Sequence, residues 1–386
     1  MTERRALVLG GGIFGVAGAL ELRQRGWTVT LVDPGPLPRP QAASTDRSKV
    51  IRADYGSDEV LSRAAQECLE GWRRWNRERF HRPLFHEVGF VLLRRSPMSP
   101  GSFEHASFTS LSGRGMAVDR LDADSIRRRF PAWNADLYTD GYLSLEAGWA
   151  ESGEVVRALL EDAEAAGVDV ARDRAEGLWS RNGRVVGARL AGLGAVEADR
   201  VVVAAGAWTP RLLPELGMRA SAMPVLLFAP EDPRPFRPPA FPVWGADIAR
   251  TGWYGFPAGD DGIVKIGHHG RGWEGEPEQP GSVPREWEVR CRAFLEESLP
   301  GLARAPLAGS RVCHYCDSPD GDFWIAPDPD REGLVVAAGG SGHGFKFAPL
   351  LGGWIADVVE DAPPRERFRW RPGVSPGTED ARYRGE

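Results

Sequence analysis

The chain has 386 residues, is 42% apolar with 14 Trp and 16 Phe, and carries a formal charge of -6. That length allows one large or two medium domains with a sizeable core, and a net negative chain without a dense basic run is a poor nucleic-acid binder. No apolar run is long enough to cross a bilayer, the opening MTERRALVLGGG is too short an apolar run for a signal peptide, and four cysteines make no disulfide framework. The expectation is a soluble cytoplasmic protein with no membrane partner.

The predicted elements follow in chain order. ALVLG reads as a short buried strand, the run from Gly11 to Gly26 as a glycine-rich turn leading into a helix, and WTVTLVD as a second strand ending at Asp33. From Asp58 to Phe80 the spacing predicts an amphipathic helix with Val60, Leu61, Ala64, Ala65, Cys68, Leu69, Trp72 and Trp75 on one face. A helix is expected over 151–166, then a strand at VDVARD. Asn182-Gly183 marks a hairpin between AEGLWS and VVGARLAG. RVVVAAGAW is a buried strand ending in glycine. Residues 230–242, PEDPRPFRPPAFP, read as a surface connection, GLVVAAGGSGHGF as a last strand entering a glycine loop, and APLLGGWIADVVE as a helix. The tail from Ala362 is expected to wrap loosely or fray. Elements of nucleotide-binding type thus occupy 1–84, 145–215 and 312–386. The segments 85–144 and 216–311 are strand-like and aromatic. Two interleaved domains are expected, with an α/β (α+β) fold.

Two glycine loops carry chemistry. Gly10, Gly12, Ile13, Phe14 and Gly15 form GxGxxG between a strand and a helix, with Asp33 ending the next strand. There Gly12 lets backbone approach a diphosphate, the helix N-terminus stabilises it, and the Asp33 carboxylate accepts from a ribose. The second loop, AAGGSGHGFKF, places Gly340, Gly342, His343, Gly344, Phe345 and Lys346 between a strand and a helix. Its close-approach backbone and positive charge suit the pyrimidine end of a flavin. Of 48 basic residues 45 are Arg, and the lysines are Lys49, Lys265 and Lys346. In so Arg-rich a chain, a surviving lysine is suspected of work that needs a compact, tunable ammonium.

The stretch RVCHYCDSPDGDFW holds a CxxC pair, Cys313 and Cys316, open to metal, disulfide, redox and cofactor-anchor readings. Zinc needs more ligands than the isolated Cys68 and Cys291 offer, since His268 and His269, adjacent in a strand, face opposite ways. No metal site is expected. A thioredoxin-type pair expects a helix after CxxC, not a turn. Buried structural thiols remain open, with Cys316 the natural one.

The motifs LGGGIFG, SKVIRADYG, AAGAW, WYGFPAGDDGIVKIGHH, RVCHYCDSPDGDFWI and GGSGHGFKF occur in one order. In them the chain resembles the monomeric sarcosine oxidase and N-methyltryptophan oxidase family of flavoprotein amine oxidases, which includes fructosyl amino acid oxidases. The resemblance implies a Rossmann-like FAD-binding domain interleaved with a mixed or antiparallel substrate domain. It implies FAD held covalently through Cys313, with Ser44, Thr45, Lys49, Arg52, Ala175, Gly206 and Trp208 joining the two loops around the cofactor. It implies Lys265 beside the flavin to promote reaction with oxygen, whose plain alternative is an ion pair with Asp260 or Asp261. Arg52 and Lys346 match a pair that binds a substrate carboxylate, and Tyr254 and His269 match pocket residues. Lys49 stands where sarcosine oxidases more commonly have arginine, and SKVIRADYG is closer to fructosyl amino acid oxidases. Trp149 and Trp253 add bulk near the site or to the core. The implied activity is oxidation of a secondary amine, an N-methyl or cyclic amino acid, by a monomer, giving an imine and hydrogen peroxide from O2. Alternatives are a fructosyl-amino acid oxidase, or a flavin amine dehydrogenase using another acceptor.

Overall fold

The computed structural model describes residues 3–279 and 281–385. A six-stranded sheet organises one part of the molecule. Its order is Trp324–Pro327, Leu334–Ala338, Arg200–Val203, Arg5–Leu9, Thr28–Val32 and Asp169–Ala171. All neighbours are parallel except the antiparallel edge strand Trp324–Pro327. The inner strands are near-continuous Val, Leu and Ala runs because both faces are covered. Helices Ile13–Gln24 and Ala348–Val359 cover one face, where a Cβ on Gly352 would lie 2.7 Å from the Ala17 carbonyl oxygen.

The turn after the first strand requires glycine. Gly10 has φ +115°, and a Cβ there would sit 2.4 Å from the Ala204 carbonyl oxygen. Asn182 and Gly183, with φ of 53° and 79°, close the predicted hairpin between Ala175–Arg181 and Arg184–Leu190.

A nine-stranded sheet organises the rest, drawn from residues 90–144 and 219–317 and antiparallel except where Val243–Ala246 pairs with Phe90–Arg94. Its longest pairing sets Arg219–Phe228 against Leu307–Asp317 and places Cys313 opposite Met223. That second strand runs through residues 311 and 312, the predicted domain boundary. A small sheet of Lys49–Ile51, Gly148–Ala150 and Phe85–His86 carries Lys49.

The Pro-rich connection runs over the surface as expected, pinned by Phe236 and Phe241, which pack into the core of the larger sheet. Two expectations are corrected. Val60 is 59% exposed, because it sits in the first turn of helix Glu59–Glu78, outside the stripe that buries Leu61, Cys68, Leu69 and Trp72. The tail does not fray at its end: Ala381 and Arg382 are buried, and Arg382 makes two 2.7 Å bonds to the Asp317 carboxylate.

Candidate active site

Two adjoining cavities meet where the sheets approach each other. The first runs between the glycine loops. Asp33, Arg39 and Trp208 stand at one end; Gly10, Gly12, Ile13, Phe14 and Ser44 line the middle; Gly340, Gly342, Gly344, Phe345, Tyr315 and Lys49 close the other. The second is bordered by Arg52, Tyr254, Phe256, His269, His343, Lys346 and Glu379. Lys49, Tyr315, Gly342 and Phe345 border both.

The first cavity fits a dinucleotide with a flat ring at its far end. Helix Ile13–Gln24 starts at its middle, and the Ser44 hydroxyl accepts from the Ile13 amide at 3.2 Å. Asp33 accepts from the amides of Gly11 at 2.9 Å and Gly35 at 3.1 Å and borders the cleft. Arg39, missed from the sequence, stacks on Trp208 at 4.2 Å and lies 3.6 Å from Asp33. At the other end Gly340 and Gly344 come so close to Phe14 that a Cβ on Gly344 would lie 2.9 Å from its ring. Gly206 also borders this cavity. Ala175 borders a neighbouring cleft with Asp33 and Trp208. Gly15 does not line the cavity; a Cβ there would collide with the Gly10 carbonyl oxygen. Thr45 lies behind the wall, its carbonyl oxygen accepting from Arg311.

Lys49 borders both cavities, Lys346 borders the second, and Lys265 lines neither but lies buried behind Lys49 on a shared carboxylate. Lys265 Nζ donates to Asp46 Oδ2 at 2.7 Å and to the Ser48 carbonyl at 2.6 Å. Lys49 Nζ donates to the same carboxylate oxygen at 3.0 Å and to Cys313 Sγ at 3.7 Å. Asp46, not Asp260 or Asp261, is therefore the partner of Lys265, while Asp261 pairs with Arg47. Burial pushes the Lys265 ammonium down to about 8, with Asp46 opposing and Lys49 assisting. Burial would also depress Lys49, but Cys313 and Asp46 outweigh it and raise it. Burial would raise the Asp46 carboxyl, yet Lys265, Lys49 and Arg311 hold it far below the carboxylate range.

The Cys313 thiol packs with Met223, Val225 and Tyr315 and reaches the junction through Lys49. Cys313 itself lines neither cavity, whereas Cys316 borders the first; the Cys316 sulfur lies 3.8 Å from the Met218 sulfur, and burial pushes its thiol up to about 12. All four cysteines are free, and no metal-binding cluster occurs among the described residues.

In the second cavity Lys346 Nζ donates to Tyr55 Oη at 2.8 Å and to the His343 carbonyl at 2.9 Å. Tyr55 lies 3.0 Å from His343 Nδ1, and His343 Nε2 lies 3.0 Å from the Gly321 carbonyl. A carbonyl only accepts, so Nε2 carries the proton and Tyr55 donates to Nδ1. Burial pushes His343 down to about 4, which keeps this relay neutral. Burial, with Arg52 nearby, pushes Lys346 down to about 7.

Arg52 is already occupied. Its Nη2 donates to Glu379 Oε1 at 3.3 Å, and His269 Nε2 lies 2.8 Å from the same oxygen. Burial would raise the Glu379 carboxyl; the His343 and His269 imidazoles and Arg52 outweigh it and hold it well below the usual range. No sequence signal exposed Glu379, which lies in the tail expected to fray. Trp149 stacks on His86, and Trp253 packs against His268, so both serve the core.

A family model described as DAO, FAD dependent oxidoreductase, matches residues 5–358. Monomeric sarcosine oxidase of Bacillus sp. (strain B-0618) is 28% identical over 366 residues, covering 93% of this chain and 92% of the relative. N-methyl-L-tryptophan oxidase of Salmonella arizonae is 29% identical over 371 residues, covering 93% and 95%. Among solved structures, fructosyl amine: oxygen oxidoreductase (Amadoriase I) of Aspergillus fumigatus superposes with a TM-score of 0.81 at 28% identity, covering 96% of this chain and 90% of that one.

Proposed function

This chain belongs to the FAD dependent oxidoreductase family, and on that premise we propose that it oxidises a secondary amine at its CH–NH bond and passes the electrons to O2. The relatives that oxidise sarcosine and N-methyl-L-tryptophan, and the solved fructosyl amine oxidase, support that substrate class. The observation that carries the reading is the shared wall of the two cavities, where Lys49, Tyr315, Gly342 and Phe345 face both.

When bound, FAD would supply a two-electron acceptor: a hydride from the amine carbon together with the proton released from nitrogen amounts to two electrons and two protons, which would reduce O2 to hydrogen peroxide while water hydrolyses the imine. The protein's part is placement and charge. The Ile13 helix terminus and Gly12 hold the diphosphate, Asp33 the ribose, and the Gly340–Gly344 loop the ring. Phe90, Ile248 and Phe256 give the second cavity apolar walls that exclude water from the reacting carbon. Tyr254 and His269 border the substrate. Burial raises the Tyr254 phenol and lowers His269, so both act as neutral hydrogen-bonding groups at pH 7. Lys265 supplies a fixed cation for the negative charge that develops on oxygen. Cys313, 3.7 Å from the Lys49 ammonium, would be the residue that anchors the ring covalently. The two sheets correspond to interleaved cofactor and substrate domains, their boundary moved off strand Leu307–Asp317.

The test is anaerobic titration of the purified yellow protein with sarcosine, N-methyl-L-tryptophan, pipecolate and a fructosyl amino acid. Bleaching by one of them, followed by peroxide on admitting air, is the expected result. A protein that no secondary amine bleaches is not an amine oxidase.

A further inference from the structure

We infer that Glu379 takes the position of a substrate carboxylate, so that the arm of the amine reaching Arg52 carries a hydroxyl instead. The inference rests on the secondary-amine reading above and names the substrate group that reading leaves open.

The tail enters the cavity as a built wall. Gly377 N donates to the Pro319 carbonyl at 3.0 Å, Tyr383 N donates to the His269 carbonyl at 2.9 Å, and the buried Arg382–Asp317 pair locks the turn between them. Glu379 lies within these anchors with its side chain 6% exposed, and it borders the second cavity beside Arg52 and His269. A carboxylate there gives Arg52 a counterion from the chain itself. A buried guanidinium without one would call for an anion from the substrate.

Two atoms are left over. Among the described residues, Arg52 Nη1 and Glu379 Oε2 are buried and have no hydrogen-bond partner. One is a donor and the other an acceptor, and both belong to side chains that line the same cavity. A hydroxyl satisfies both, accepting from Nη1 and donating to Oε2. A carboxylate satisfies only the first and sets a second negative charge against Glu379, which is a selection against that group. Lys346 spends two of its three N–H donors on Tyr55 and the His343 carbonyl, which leaves a single donor against the added negative charge.

Sarcosine and N-methylethanolamine share a methylated nitrogen and its neighbouring methylene and differ in carboxylate against hydroxymethyl. With holoenzyme, kcat/KM for N-methylethanolamine is expected to exceed that for sarcosine at least tenfold. Glu379→Gln keeps an acceptor for His269 but removes the charge, and should shift that ratio toward sarcosine tenfold or more. Acetate, a carboxylate that cannot react, should perturb the flavin absorbance at a tenfold lower concentration in E379Q than in the parent protein. Retained flavin shows that the variant is folded, and the parent's own ratio stands without it. A parent enzyme that prefers sarcosine, or an E379Q variant with unchanged ratio and unchanged acetate affinity, overturns the inference. If neither amine reduces the flavin in either protein, the amine-oxidase reading fails, while the acetate comparison still decides the role of Glu379.

Discussion

Lys265 and Lys49 share one oxygen of Asp46, at 2.7 Å and 3.0 Å, so a single buried carboxylate holds Lys265 directly behind Lys49, which borders both cavities. Neither cation is free to drift, and Lys265 is poised as a preorganised charge rather than a mobile one.

Lys265→Met should slow reoxidation of the reduced flavin by air on the order of 10²-fold, the usual cost of losing one preorganised charge-stabilising group. Anaerobic reduction by amine should stay within about threefold of the parent, since Asp46 keeps Lys49 as its partner. Stopped-flow measurement of the two half-reactions separates them, and equal losses in both would remove the oxygen role.

The same reaction with oxygen should depend on pH. The Lys265 ammonium is displaced downward to about 8 by burial, so the cation is present below that pH and lost above it. Reoxidation should therefore be fastest below pH 8 and decline as pH rises through it. Asp46 stays ionised and Lys49 stays charged across this window, so neither supplies the inflection. A rate flat from pH 7 to 10 in the parent would exclude Lys265 as the group responsible.

Cys313→Ala should let acid-precipitated protein release its yellow colour into the supernatant, whereas Cys316→Ala should keep it in the pellet. Cys316 borders the first cavity, but its sulfur is turned to the Met218 sulfur at 3.8 Å and burial keeps it a neutral thiol, whereas Cys313 Sγ lies 3.7 Å from the Lys49 ammonium that borders both cavities. Colour that stays in the pellet in the Cys313 variant would place the attachment elsewhere or nowhere.

Arg382→Ala should destabilise the protein by about 3 kcal/mol, because it strands the Asp317 carboxylate in a buried position. Urea unfolding followed by tryptophan fluorescence measures this. A change under about 0.5 kcal/mol, the range of ordinary surface substitutions, would mean the tail is not anchored as described.

Several local elements were legible because their cause is local. Gly10 is required by a positive φ and a close approach to Ala204, and Asn182-Gly183 by the two left-handed residues of a tight hairpin. The helix over Glu59–Glu78 was read from its 3.6-residue spacing, yet Val60 was misplaced because it lies off the stripe formed by Leu61, Ala65, Cys68, Leu69 and Trp72. The lysine scarcity pointed to three positions that the fold brings together. It named none of their partners.

By itself the sequence determined the α/β class, the glycine loops and the family, because each follows from residues a few positions apart. Only the tertiary structure decided what the charges do. Asp46 meets Lys265 across 219 positions and Arg52 meets Glu379 across 327, and nothing near either residue in the chain announces the other. Buried charge must be matched wherever the folded chain happens to bring a counterion, so pairing is settled by packing and not by spacing.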